Sequence, residues 1–127
     1  MTKYFDIFRS SRGGHEPERD VEILGLYDMV SYLNYHIDVS KSNMVEVGVY
    51  AGQSTHIFSQ YFKEVHAVDP WQNLDEYTNE MSEVEKVFDR YKASNVIKHK
   101  KTSVEAAKDI EDKSIDFIYI DARHEYE

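Results

Sequence analysis

From residue 44 onward the chain alternates short apolar runs with helical stretches, and this alternation limits the possible folds more than any other feature. Residues 44–49, 65–68, 95–99 and 115–120 read as strands; the first is interrupted by Glu46, and the last is the most apolar. Between them, residues 53–62 carry Ile57, Phe58, Tyr61 and Phe62 at helical spacing. Residues 74–93 do the same with Met81, Val84, Phe88 and Tyr91, and read as a helical insertion. Thr102 and Glu105 have the spacing of a capping box and open a short helix that runs through Ile110. Strands that alternate with helices predict an α/β chain with a parallel sheet and right-handed crossovers. Such sheets bind ligands at the carboxyl ends of their strands. The informative residues are therefore those that follow each strand.

Upstream, residues 1–19 form a polar segment, and 10–20, with Gly-Gly and Glu-Pro, read as a loop. A helix is expected over 20–37, capped by Asp20, with Leu24, Tyr27, Val30, Leu33 and Ile37 as its buried face. A turn at 40–43 leads into the first strand. The expected domain is 20–127. At 127 residues, with 41% hydrophobic residues, the chain suits one core. Its net charge of −9 argues against a nucleic-acid or anionic-membrane binder, because phosphates repel such a surface. Without cysteine there are no disulfides and no thiolate zinc sites, which fits a reducing, cytoplasmic setting. No long apolar run predicts a membrane span.

After the first strand, Gly48 and Gly52 bracket a strand-to-helix turn. Gly48 permits a positive φ, Gly52 permits close approach of a ligand to the main chain at the helix start, and the free amides there suit a carboxylate or phosphate. A tight turn without ligand is the plain alternative. Asp69 ends the second strand about twenty residues on, the spacing at which an acidic side chain reaches ribose hydroxyls in a βαβ nucleotide site. Trp71 either covers a nucleoside, lines a substrate pocket or packs in the core. Ser103, after the third strand, either touches an adenine ring or belongs to a helix cap. After the fourth strand come Asp121, His124, Glu125 and Tyr126. Asp121 suits a divalent cation such as Mg2+ or a cofactor ammonium group, and His124 suits a general base near neutral pH.

Taken together, the segments Glu46-Val-Gly-Val-Tyr-Ala-Gly-Gln-Ser54, Val68-Asp-Pro-Trp71 and Ile118-Tyr-Ile-Asp121-Ala-Arg-His124-Glu-Tyr126 resemble class I S-adenosylmethionine-dependent methyltransferases. The likeness is to the small-molecule and sugar O-methyltransferase-like group and covers about residues 20–127. It implies a Rossmann-like sheet whose first four strands lie in the order 3-2-1-4. The family has seven strands, so the resemblance also implies a domain cut off after the fourth, with that strand as an exposed apolar edge and a homodimer as one consequence.

By position, the resemblance implies that Glu46 and the backbone near Gly48 hold the methionine part of S-adenosyl-L-methionine. Asp69 binds ribose and Ser103 touches adenine; Tyr50, Gly52, Ser54 and Trp71 are further candidate cofactor-binding residues. Asp121 faces the transferred methyl and is the first metal ligand in metal-dependent relatives, while His124 is the catalytic base. Ala122 departs from the usual glycine, and Thr102 stands where an acidic residue is common. The implied reaction is methyl transfer to a small-molecule hydroxyl. Two rival readings stay open: a nicotinamide-dependent oxidoreductase domain, although Gly-x-Gly-x-x-Gly is missing, and a non-catalytic, oligomer-forming Rossmann-like module.

Overall fold

The computed structural model describes residues 16–72 and 80–122. In chain order they form α1 (Glu16–Leu33), a 3-10 turn (Val39–Lys41), β1 (Asn43–Val47), α2 (Gln53–Ser59), β2 (Glu64–Val68), α3 (Glu80–Tyr91), β3 (Val96–His99), α4 (Ser103–Asp109) and β4 (Phe117–Ile120). The four strands make one parallel sheet in the order β3-β2-β1-β4. This is the α/β, Rossmann-like arrangement expected from the sequence.

Parallel pairing places partnered side chains on the same face of the sheet. Met44 and Glu46 of β1 therefore share a face with Phe117 and Tyr119 of β4 and with Val65 and Ala67 of β2. This face packs on Val30, Phe58, Phe62, Val84 and Phe88 from α1, α2 and α3 and from the turn after α2, and it forms the main core. The opposite face, with Val45 and Val68, is covered by Ala106 of α4 and by Ile110 and Ile115. Burial on both faces explains why these strands are nearly continuous apolar runs. On β4, Ile118 and Ile120 remain largely exposed.

Three expectations are corrected. The helix expected to start at residue 20 begins at Glu16, so Asp20 lies inside it and is not its cap. Pro17 explains the earlier start, because proline lacks an amide and suits a first helical turn. The buried face of α1 is Ile23 and Val30, with Leu26, Met29 and Leu33 against the core; Leu24 is 63% exposed. The first strand ends at Val47, two residues early, because Gly48 has φ +90° and turns the chain out of the ladder. The capping box stands as expected: Glu105 donates its amide to Thr102 Oγ1 at 3.3 Å. Among the described residues, no helix is long and apolar enough to cross a membrane.

Candidate functional site

The carboxyl ends of β1, β2 and β4 meet at the loop 48–52. Gly48 leaves no room for a side chain. A Cβ there would stand 2.4 Å from the Asp121 carbonyl oxygen and 2.6 Å from Ala122 Cα, so the exits of β1 and β4 touch backbone to backbone. At Gly52, also with positive φ, the space a Cβ would need is taken by Phe88 of α3, 2.8 Å away. Close approach at that glycine therefore comes from the protein's own core.

Asp69 organises this loop. One carboxylate oxygen accepts the amides of Val49, at 2.9 Å, and Tyr50, at 3.1 Å; the other accepts the amide of Trp71 at 2.7 Å. Tyr50 (φ +57°) and Trp71 (φ +46°) are both left-handed, a conformation costly for side-chain-bearing residues, and these bonds help hold it. The Trp71 indole closes the knot by donating Nε1–H to the Tyr50 carbonyl at 2.8 Å. Two amides of this loop, those of Val49 and Tyr50, are thus already bound by an internal carboxylate. A carboxylate has about four lone-pair positions. Three of those on Asp69 are filled by backbone amides.

Around the loop lies a cavity of about 670 Å³, within the size range of small-molecule sites. One wall is the strand-end rim: Gly48, Tyr50, Ser54, Asp69 and Asp121. Facing it, α1 supplies Ile23, Gly25, Leu26 and Met29, and Gln53 and Tyr119 also line the space. The charged side chains among these residues are carboxylates, and none is basic.

Glu46 does not line the cavity. It is completely buried in the middle of β1, where Ser54 Oγ donates to one carboxylate oxygen and Thr55 Oγ1 to the other. Burial pushes its pKa up to about 7 against these two hydrogen bonds, and the nearby Asp121 and Asp69 push in the same direction. Ser54 joins the two levels, since it borders the cavity and donates to Glu46. Next to it, Gln53 is 8% exposed, and its side-chain amide nitrogen is buried without a hydrogen-bond partner.

The structure thus brings Gly48, Tyr50, Ser54, Asp69 and Asp121 to one cavity. Trp71, Gly52 and Ser103 are not among its lining residues. Trp71 is buried against Phe88, with ring centroids 4.8 Å apart, and the Lys98 ammonium lies 5.1 Å from its ring. Ser103 is the exposed first residue of α4. His124 lies outside the described residues. The sequence reading did not assign Gln53, Tyr119 or the α1 wall to the site. Gln53 had a signal, its place between Gly52 and Ser54 at the start of a helix. Among the described residues, no group of three or more histidine or acidic side chains could hold a metal ion, so Asp121 has no assembled partner set for a cation.

A family model described as a methyltransferase domain matches residues 45–127, which includes every rim residue named above. No curated protein matches the chain closely enough to count as a relative. With most of its length covered by that match, the chain belongs to the methyltransferase domain family.

Proposed function

We propose that this domain binds S-adenosyl-L-methionine in the cavity at the strand ends and transfers its methyl group to a hydroxyl of a small molecule. The observation that carries the reading is the charge of the rim. Asp69 and Asp121 border the cavity, no basic side chain does so among the described lining residues, and the amides of Val49 and Tyr50 already serve Asp69. A diphosphate-bearing nicotinamide cofactor would bring negative charge to this rim without those two donors. A sulfonium and an ammonium group bring positive charge, which two carboxylates attract.

The donor set fits the cofactor in three places. The remaining lone-pair position of Asp69 suits one ribose hydroxyl. The buried, unpartnered amide nitrogen of Gln53 lacks an acceptor such as a carboxylate oxygen. Asp121, exposed at the end of β4, suits a cationic group. When bound, the cofactor supplies an electrophilic methyl on sulfur. The chain's part is alignment of acceptor and methyl, together with removal of the hydroxyl proton. His124, three residues beyond Asp121, is the base that the family resemblance assigns. The described donor set does not fit a divalent cation.

Calorimetric titration of the protein with S-adenosylmethionine and with NAD separates the readings. Saturable heat with the former alone is expected. Heat with NAD and none with S-adenosylmethionine would overturn the proposal.

A further inference from the structure

We infer that α1 is the acceptor-binding wall of the site and that Gly25 sets the size of the acceptor it admits. The inference rests on the cofactor reading above for its assignment of the opposite wall.

The two walls differ in chemistry. The strand-end rim carries the carboxylates, the hydroxyl of Ser54 and the amide of Gln53. The α1 wall carries Ile23, Leu26 and Met29, with Gly25 among them and no polar side chain. A ligand surface lying on α1 finds no side-chain hydrogen-bond partner there, so that surface must be apolar. The polar groups of a nucleoside cofactor belong at the rim. This leaves the α1 wall to the body of the second substrate. The match to the methyltransferase family begins at Val45, so α1 lies outside the matched residues while the rim lies within them.

Gly25 makes the wall specific. It sits inside an 18-residue helix, where glycine is the least favourable residue apart from proline. Gly48 and Gly52 have reasons to be glycine: positive φ and neighbours that a Cβ would strike. Gly25 has neither. A Cβ there would meet nothing within 4 Å, and the residue borders the cavity. Gly25 is exposed, so a larger side chain at this position would stand at the open edge of the cavity, where it narrows the entrance. The absent side chain exposes helix backbone at the edge of the cavity. The acceptor that fits has an apolar body and a hydroxyl, and it is not anionic, because the rim it faces holds carboxylates and no basic group among the described lining residues.

The test titrates the 127-residue chain and its variants Gly25→Ala and Gly25→Leu with two probes. One is S-adenosylhomocysteine, for the cofactor side. The other is naphthol, a fluorescent apolar hydroxyl compound, for the acceptor side. Wild type is expected to bind both. Gly25→Leu should weaken naphthol by about tenfold or more, the scale of a steric misfit in an apolar pocket, and leave S-adenosylhomocysteine within about twofold. Gly25→Ala should show a smaller loss in the same direction with a raised Tm, because alanine is the better helix former. This milder variant keeps the test decisive if Gly25→Leu folds poorly.

Equal loss of both probes would overturn the proposal by giving α1 to the cofactor. Unchanged naphthol binding in both variants, or none in wild type, would overturn it as well. Naphthol binding that is blocked by Gly25→Leu in a protein that never binds S-adenosylhomocysteine would support the wall and sink the cofactor reading alone.

Discussion

The carboxylate of Asp69, at the end of β2, accepts the amide of Tyr50, nineteen residues back beyond the end of β1, at 3.1 Å. That bond and its two companions make Asp69 a structural fastener as well as a cavity-lining group. Asp69→Ala would leave the amides of Val49, Tyr50 and Trp71 without their acceptor and two left-handed residues without support. The expected loss is about 3 kcal/mol in urea denaturation of the ligand-free protein, the scale for stripping charge-assisted bonds from partly buried donors. Asp69→Asn, which keeps one acceptor oxygen, should lose about half as much. A carboxylate that served a ligand alone would leave the ligand-free stability unchanged.

This double role explains what could and could not be read in the sequence. The parallel α/β alternation, the turn at Gly48 and the convergence of Asp69 and Asp121 were legible because alternation, glycine and spacing are local signals, whereas the strand order came only with the family resemblance. The internal use of Asp69 was not, because no spacing rule says which amides a carboxylate will choose. Gly52 looked like a ligand-contact glycine, but Phe88, thirty-six residues later, decides its environment. Trp71 was ambiguous for a related reason. Its packing depends on α3 and on Lys98, and neither lies near it in sequence. The face of α1 was misjudged at Leu24 because its apolar residues fit more than one stripe, and only the position of α2 chooses Ile23. Glu46 marked itself as unusual by interrupting an apolar strand, yet its hydroxyl partners come from the next helix.

Gly48 is the position where substitution should do most harm. Alanine there combines a positive φ with a Cβ 2.4 Å from a backbone oxygen, which no side-chain rotation relieves. Gly48→Ala is expected to cost about 3 kcal/mol or more in chemical denaturation, as at other strained sites with backbone clashes. It should also weaken ligand binding, because the backbone that must yield belongs to Asp121 and Ala122. Gly52→Ala should cost less, since its Cβ meets the edge of the Phe88 side chain, which can move.

Lys98 ties α3 to the sheet. Its ammonium lies 2.6 Å from Glu85 and 2.7 Å from Asp89, with the Trp71 ring beneath it. Lys98→Met keeps most of the aliphatic stem and removes the charge. Partly exposed ion pairs are worth about 1 kcal/mol or less each and are screened by salt. The variant should therefore lose about 1 kcal/mol at low ionic strength, with the difference shrinking in high salt. Trp71 is the single tryptophan in the chain, so its fluorescence reports the change directly: a shifted emission maximum in Lys98→Met is the expected signature.

Glu46 gives the protein a pH dependence of definite sign. Burial raises its carboxyl from 4.5 to about 7, with the hydroxyls of Ser54 and Thr55 opposing and Asp121 and Asp69 adding to the rise. Between those two pH values the folded chain keeps a proton that the unfolded chain has released. Stability from this group is therefore fully present below pH 4.5, falls as pH rises through that window, and levels off above about 7. The displacement corresponds to a loss of about 3 kcal/mol. Glu46→Gln fixes the side chain in a neutral form of the same shape, to which Ser54 and Thr55 can still hydrogen-bond. Across pH 4.5 to 7 the stability of wild type measured against this variant should decline steadily, and the two curves should run parallel outside the window. A difference that stays constant with pH would mean that Glu46 is already ionised in the folded protein near pH 5, stabilised by its two hydroxyl donors more strongly than burial opposes.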